Sequence, residues 1–413
     1  MIRRINGSIA ARGWIGTLKR IRSERARARA AGIRLTAAVP QPSTPAAGRR
    51  MLVVDSMVPD PTRDSGSVRL LHILRQLRNE GWIVDFFPDD GIFNEDDEKR
   101  LAAIEVPIHK GNLLHWLMHH GASLDAVMLC RLNVAQQHIA IARKYARNAI
   151  IAFDTVDLHY IRESRAAALQ GSGRMLRQAQ RSRRLEIGVV AMADVTFVVS
   201  EEERTVLAGD APGAAVLLLS NIHEPVIPMH GFDQRNGLLF VGGFGHPPNA
   251  DAMQWFVTEI FPLLRSEEPD VCLNIVGDID DAARRKLAGP GVNIHGRVRD
   301  LLPLIESCRV SVAPLRFGAG VKGKVNEAMS HGLPVVLTPM AAEGMHLTQG
   351  TDALIAATAP DFAQAVLSVY RDKALWSRLS EAGMANVRIH FSAARALETL
   401  RSAFPLVAKP SPD

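Results

Sequence analysis

Short apolar segments alternate with helix-compatible stretches along nearly the whole chain, and that alternation leaves few folds open. From Met51 the chain reads MLVVDS, a loop with Pro59 and Pro61, a helical VRLLHILRQLRNEG ended by Gly81, and then WIVDFFP. This is a βαβ unit. The segments AIEVPI, AVMLC, AIIAF, VTFVVS and AVLLLS continue it as strands of a largely parallel sheet. A second series, GLLFVG, CLNIVG, VNIHG, VSVAPL, LPVVLT and DALIAA, follows the connector NIHEPVIPMHGFDQRN, whose two prolines and polar content mark a domain boundary. Helices near 359–383 and 392–404 close the chain. The fold class predicted is α/β: two doubly wound, Rossmann-like domains facing across a cleft, where the carboxyl ends of both sheets bind ligands. The domains are predicted at 51–225 and 226–390, with 1–50 a basic tail and linker and 391–413 a helix and tail packing back on the first domain.

Composition narrows the function. With 413 residues, 47% hydrophobic, 22% charged and a mean hydropathy of +0.02, the chain has cores to bury, which excludes wholesale disorder. No apolar run approaches the roughly eighteen residues of a spanning helix. Cys130, Cys272 and Cys308 show neither CxxC nor zinc spacing, so a reducing compartment, the cytoplasm, is predicted. Residues 1–50 hold twelve Lys/Arg against Glu24 alone, leaving 37 basic and 42 acidic residues in 51–413. The net charge of +6 is thus a property of the tail, and nucleic-acid binding by the body is disfavoured. Within the tail, Trp14, Leu18 and Ile21 recur at helical spacing among Arg12, Lys19, Arg20 and Arg22. Two readings stand: a disordered extension, or a helix on an anionic membrane surface at the inner face of the cell membrane.

The most informative segment is VSVAPLRFGAGVKGKVNEAMSHGLPVVLTP (309–338), a strand, a glycine-rich loop, a helix and a strand. Gly318, Gly320 and Gly323 permit close backbone approach to a ligand, and the helix aims its amides and positive end at the loop. Lys322 and Lys324 add charge there, and Glu327 lies one turn on from Lys324, placed to accept both hydroxyls of a ribose. Its plain alternative is to stabilise the helix or pair with Lys324. The loop fits a P-loop as far as G-x-x-x-x-G-K, but Val325 stands where Ser or Thr would hold magnesium. In GGFGHPPNADAMQWF (242–256), Gly243 and Gly245 begin a G-x-G-x-x-G pattern that Pro248 breaks. That loop still suits phosphate: Asn249 is read as the N-cap of the next helix, and His246 is placed to donate.

Ser65, Gly66 and Ser67 start the first helix and present amides towards the cleft. In DTVDLHY, Asp154, Asp157 and His159 end a strand at the cleft, whereas Arg162 and Arg165 read as a solvated helix face. Asp278 and Asp280 form a D-x-D better explained by an N-cap at Asp280. His115 and His119 have zinc-helix spacing without a third ligand.

Taken in order, DSMVPDPTRDSGSVRLLHIL, FDTVDLHYIRESR, VVSEEER, LSNIHEP, FVGGFGHPPNADAMQWF and GAGVKGKVNEAMSHGLPVV resemble a family-four retaining glycosyltransferase of the GT-B fold, from about Met51 to the end. The resemblance implies transfer of a sugar from a nucleotide donor, with retention, at the interdomain cleft. It makes Glu327 the ribose-binding carboxylate of a Glu, seven residues, Glu motif, whose first position is Ala319 here. It puts Lys322, Lys324, Gly318, Gly320, Gly243 and His246 near the diphosphate, with Gly66 and Ser67 across the cleft, and the Arg297 and Val298 backbone near the nucleobase. His159, with Asp157 as the alternative, falls beside the sugar. The implied partners are a nucleotide-sugar donor, which is a substrate rather than a cofactor, and a glycan or lipid-linked acceptor of cell-envelope polysaccharide synthesis. No cofactor or metal is called for, since lysines, amides and helix ends oppose the diphosphate charge. The alternatives are a nucleotide-sugar 2-epimerase of the same fold and a non-catalytic sugar-nucleotide-binding subunit of a glycan-assembly complex.

Overall fold

A computed structural model describes residues 48–318 and 320–405; the tail with Trp14, Leu18 and Ile21, and Ala319, lie outside the described residues. The first sheet contains β1 (Arg50–Asp55), β2 (Ile83–Pro88), β3 (Ala126–Cys130), β4 (Ile150–Asp154), β5 (Val195–Val198) and β6 (Val216–Leu218), all parallel, in the order β2-β1-β3-β4-β5-β6. Around it run α1 (Ser65–Asn79), α2 (Glu95–Ala102), α3 (Leu113–His120), α4 (Leu132–Tyr145), α5 (His159–Leu169), α6 (Gly173–Val190) and α7 (Glu201–Asp210). Strands covered on both faces read as continuous apolar runs. Accordingly Met51 and Val53 face one core with Leu70, Leu74 and Phe86, while Leu52 and Val54 face another with Leu129 and Ile139.

The second sheet is also parallel, with β7 (Leu238–Val241), β8 (Leu273–Val276), β9 (Val292–Gly296), β10 (Val310–Ala313), β11 (Val335–Leu337) and β12 (Leu354–Ile355) in the order β12-β11-β10-β7-β8-β9. Its helices are α8 (Pro247–Trp255), α9 (Phe261–Glu267), α10 (Asp281–Leu287), α11 (Leu302–Ser307), α12 (Gly323–Ser330), α13 (Pro339–Ala342), α14 (Ala359–Arg371), α15 (Lys373–His390) and α16 (Ala393–Ala403). Both sheets reverse their winding beside the first strand, between β1 and β3 and between β7 and β10, and open α/β sheets hold ligands at such switch points. The loops after β1, β3, β7 and β10 are therefore the ones to inspect.

Two expectations fail locally. AIEVPI is not a strand: it leaves α2 through a turn and touches β2 only by a bridge between Phe86 and Ile108. The closing helices number three, because Asp372 ends α14 and N-caps α15, which runs on to His390. The last of them, α16, lies against α1, with Leu400 and Ala403 in the first domain's core and the Phe404 ring 5.7 Å edge-on from Trp82. Among the described residues no helix is long and apolar enough to cross a membrane.

Candidate active site

On the second domain the two switch-point loops are tied to each other. Asn249 Nδ2 donates to the Gly243 carbonyl (2.9 Å), and Lys324 Nζ donates to Asn249 Oδ1 (2.7 Å). Asn249 is thus not the N-cap of α8; His246 occupies that position, because Pro247 starts the helix with the ring geometry the first helical residue favours. Lys322 precedes α12 and turns back to the Gly320 carbonyl (2.6 Å). Burial pushes Lys322 down to about 8, against Glu343, and Lys324 down to about 7, with Lys322 adding to the effect. Among the described residues neither ammonium group has a carboxylate at ion-pair distance, so an incoming anion would favour their charged forms.

Glu327 emerges one turn into α12, partly exposed, between two histidines. His223 Nδ1 is 3.0 Å from one oxygen and His331 Nε2 3.7 Å from the other. Against the cost of burial, these two hold the Glu327 carboxyl far below the usual range. Of its two plain alternatives, pairing with Lys324 is not seen, because Lys324 is engaged by Asn249. Asp280 does cap a helix, accepting from the Ala283 amide at 2.7 Å, and His119 Nδ1 lies 2.7 Å from the His115 carbonyl.

On the first domain the wall is the turn after β4. Val156 adopts φ 63°, a left-handed conformation costly for a β-branched residue, and it sits between Asp154 and Asp157. What holds it is a set of buried carboxyls. Glu186 accepts from the amides of His159 and Tyr160 (both 3.3 Å), and Glu203 accepts from those of Leu158 (3.1 Å) and Val199 (3.2 Å). Asp157 pairs with Arg162 and lies 3.4 Å from His159 Nε2. Although burial opposes it, Arg162, His159 and His246 keep Asp157 below the ordinary carboxylate range. Burial takes His159 the other way, down to about 4, so its ring is neutral at physiological pH.

Burial also pushes Glu186 up to about 8 and Glu203 up to about 7. A carboxyl that titrates at 4.5 when unfolded and near 8 when folded binds more protons in the native state between those values, so its stabilising effect is lost as pH rises through that window. Glu186→Gln is therefore expected to flatten the fall of Tm between pH 5 and 8 and to melt higher than the parent at pH 8. A thermal scan series across pH tests this; a variant that melts lower at every pH would show that the ionised carboxylate is needed to hold the turn.

The two domains meet through these parts. A Cβ built on Gly323 would stand 2.3 Å from Ser65 Cβ, so the amino ends of α12 and α1 abut with no room for a side chain. Gly320, with φ +68°, brings its backbone against Asp157 and Val199. Arg165, expected on a solvated face, instead crosses the cleft to the Gly318 carbonyl (2.8 Å) and Glu343 (2.6 Å). Arg162, expected there too, is turned in to Asp157. At the opposite rim Arg297 reaches Asp60 and Thr62 of the first domain. Ser67 is buried and its amide is taken by the N-cap Asp64 (2.8 Å), which removes it from the amides expected to face the donor; Gly66 stays at the cleft beside Arg131.

Of the residues singled out, Asp157, His159, His246, Lys322 and Lys324 come together, His246 lying within electrostatic reach of Asp157, Arg162 and both lysines, while Glu327 stands one turn along α12 from Lys324 against His223 and His331. Sequence reasoning missed Arg131, His223, Glu186, Glu203 and Glu343. Arg131 follows β3 with φ 74° and pairs with Asp55 (2.9 Å) at the first sheet's switch point. A charged residue at the end of a buried strand was the available signal. His223 stands in the connector, where only its return to α12 gives it a role.

Residues 235–372 match the family profile described as Glycosyl transferases group 1. A Klebsiella pneumoniae protein, described as an uncharacterized 44.6 kDa protein in cps region, is 28% identical over 147 residues, 33% of this chain and 38% of that one. The alignment thus spans little more than a third of that relative. Among solved structures, HepE of Anabaena, crystallised with UDP and glucose, superposes with a TM-score of 0.66 at 13% identity, over 86% of this chain and 99% of that one. Sucrose-phosphate synthase of Thermosynechococcus elongatus gives 0.65 at 15%, over 86% and 98%. A putative UDP-N-acetylglucosamine 2-epimerase from Listeria monocytogenes gives 0.54 at 14%, over 88% and 99%. Such identities bear on the fold, and the profile bears on the second domain: the chain has the GT-B glycosyltransferase fold, and residues 235–372 are a Glycosyl transferases group 1 domain.

Proposed function

We propose that this chain is a retaining glycosyltransferase that moves a hexosyl group from a nucleoside-diphosphate sugar to a glycan or lipid-linked acceptor in cell-envelope polysaccharide assembly. The observation that carries the reading is Glu327, ionised between His223 and His331 and one turn beyond two lysines whose pKa values burial lowers. A carboxylate so placed accepts from ribose hydroxyls, while Lys322, Lys324 and the amino end of α12 oppose the diphosphate. UDP in the Anabaena structure and the cps-region description of the Klebsiella relative support donor class and setting.

Departure of the diphosphate builds negative charge on it and positive charge on the sugar. The lysines and helix amides are fixed where the first develops, and the neutral His159 beside ionised Asp157 is fixed on the opposite wall. No carboxylate among the described residues stands free as a nucleophile there, since Asp157 is spent on Arg162 and Glu203 on backbone amides. We therefore assign same-face attack guided by the leaving phosphate. The epimerase reading is weaker for the same reason.

The reading is tested by incubating the protein with a panel of nucleotide sugars and following hydrolysis and transfer by mass spectrometry, with Glu327→Ala in parallel. Loss of Glu327 is expected to weaken donor binding by about 1.5–3 kcal/mol, the worth of hydrogen bonds to a charged group. Unchanged donor affinity by calorimetry in the folded variant removes Glu327 from the site. Turnover is also expected to survive EDTA; chelation that abolishes it, with recovery on manganese, would shift the diphosphate charge from the lysines to a metal.

A further inference from the structure

Two stretches of chain cross between the domains: the connector from β6 to β7, and the link from α15 to α16, since α16 packs on the first domain. They are joined to each other. The His223 amide donates to the Phe391 carbonyl (2.8 Å), and the amide of Ala393, which opens α16, donates to Glu224 Oε1 (2.7 Å). On the second-domain side the connector is fastened to α12, where the Val226 amide donates to the Ser330 carbonyl (2.8 Å) and Asn221 Nδ2 to Asn326 Oδ1 (3.3 Å). On the first-domain side Thr399 Oγ1 of α16 donates to the Leu218 carbonyl of β6 (2.8 Å). A change in the angle between the domains therefore has to bend both crossings together, beside α12.

One residue of that joint also faces Glu327. His223 is 7% exposed; its amide is spent on the crossing, while its ring Nδ1 stands 3.0 Å from Glu327 Oε2. An ionised carboxylate can only accept, so Nδ1 is the donor and carries the proton. The bond takes one of roughly four lone-pair positions on the carboxylate. His331, at 3.7 Å from Oε1, is a looser contact. What is left is a carboxylate fixed at one edge with acceptor capacity to spare, which is what a pair of neighbouring hydroxyls needs. From the first domain, His72 of α1 lies within electrostatic reach of His223, Glu224 and Glu327, so both domains border this group.

We infer that His223 is a positioning residue: it aims Glu327 at the ribose of a nucleoside diphosphate and ties that carboxylate to the crossing between the domains. The inference rests on the transferase reading for its ligand, and goes beyond it in giving the connector a part in recognition. Held by a hydrogen bond at its amide and another at its ring, His223 transmits in both directions. A ribose engaging Glu327 steadies the carboxylate against the ring, and the crossing is steadied with it; by linkage, a loosened crossing lowers affinity for the ribose. The diphosphate, which the same reading gives to Lys322 and Lys324, is outside this route, so the signature is selective for the ribose hydroxyls.

The test compares UDP, CDP, ADP and GDP with their 2′-deoxy forms by calorimetry on the full chain. The parent is expected to bind at least one of them about ten- to a hundredfold more tightly than its deoxy form, the worth of a hydrogen bond to a charged group. His223→Phe keeps a ring and removes the donor, and is expected to bring the two forms to within about threefold, as Glu327→Ala does. His223→Asn, whose amide offers a donor near the position of Nδ1, is expected to retain most of the preference. In hydrogen exchange, the nucleotide is expected to slow the amides of His223 and Ala393 in the parent and not in His223→Phe. A histidine that only fills space lowers affinity for both forms alike, so an unchanged ratio in a folded His223→Phe protein overturns the inference and leaves the transferase reading standing. Equal slowing of the crossing amides in parent and variant breaks the tie to the crossing. A parent that binds none of these nucleotides removes the transferase reading itself, and this inference with it. If His223→Phe does not fold, His223→Leu, which asks for less room, carries the same comparison.

Discussion

Gly323→Ala is expected to lower kcat/KM on the order of a hundredfold, and the overpacked contact is expected to cost about 1–3 kcal/mol of stability as well. The added methyl group meets no strain within its own helix: Gly323 opens α12, and Ala is the better helix former by up to about 1 kcal/mol. What it meets is the other domain. Its Cβ would lie 2.3 Å from Ser65 Cβ and 2.9 Å from Ser65 Oγ, distances no packed pair of atoms adopts, with Asn221 Nδ2 at 3.3 Å. Ser65 is the first residue of α1, held by the Asp64 cap, and cannot withdraw without moving the helix. The domains must therefore part by about an ångström, and misplacement on that scale costs about 10²-fold when two walls share one reaction. The second substitution Ser65→Gly removes the obstructing Cβ and is expected to restore most of the activity. Thermal melts and steady-state kinetics on the single and double variants decide the matter. A Gly323→Ala protein with parental kcat/KM, or a double variant no better than the single, means that the contact between α12 and α1 is not part of the working geometry.

This contact also shows what could and could not be read from the chain. The alternation of apolar segments was sufficient for two parallel sheets, because strands buried on both faces leave a continuous hydrophobic signature that helices and loops do not share. The glycine-rich loop before Glu327 was legible for a related reason: close backbone approach excludes side chains, and Gly318, Gly320 and Gly323 stand out as a run. Which surface approaches was not legible. Ser65, Asp157 and Val199 meet that loop from positions more than a hundred residues away, and only the assembled domains bring them there. The same holds for the partners of charge. Arg165 looked like a solvated helix residue because its neighbours in sequence are polar, yet Gly318 and Glu343 on the other domain take it. Asn249 looked like an N-cap because its residue type favours one; Pro247 moved the helix start three residues upstream, freeing the Asn249 side chain to hold Lys324. AIEVPI had strand composition but is spent on the turn that leaves α2, and it reaches the edge strand β2 only by one bridge. Local rules thus located the elements, and the partner identities came from long-range packing.

His159→Ala is the other substitution with a large expected effect, and it probes the wall opposite the lysines. The side chain sits at the amino end of α5, fixed there because Glu186 takes its backbone amide, and its ring is 3.4 Å from an Asp157 that Arg162 keeps ionised. Burial outweighs that carboxylate and leaves the ring neutral down to about pH 4, so it offers the sugar a hydrogen bond without a competing positive charge. If the bond forms as the sugar becomes cationic, its loss falls on the chemical step: kcat is expected to drop ten- to a thousandfold, roughly 1.4–4 kcal/mol of transition-state stabilisation. Affinity for the nucleoside diphosphate alone, which the proposed reading assigns to Lys322, Lys324 and Glu327, is expected to stay nearly parental. The pH profile adds an independent check: with the ring neutral across the range, kcat between pH 6 and 8 is expected to show no inflection that disappears in the variant. Loss of nucleotide affinity equal to the loss in kcat would place His159 at the nucleotide rather than the sugar, and an inflection near 6.5 abolished by the substitution would mean that the ring works in its charged form.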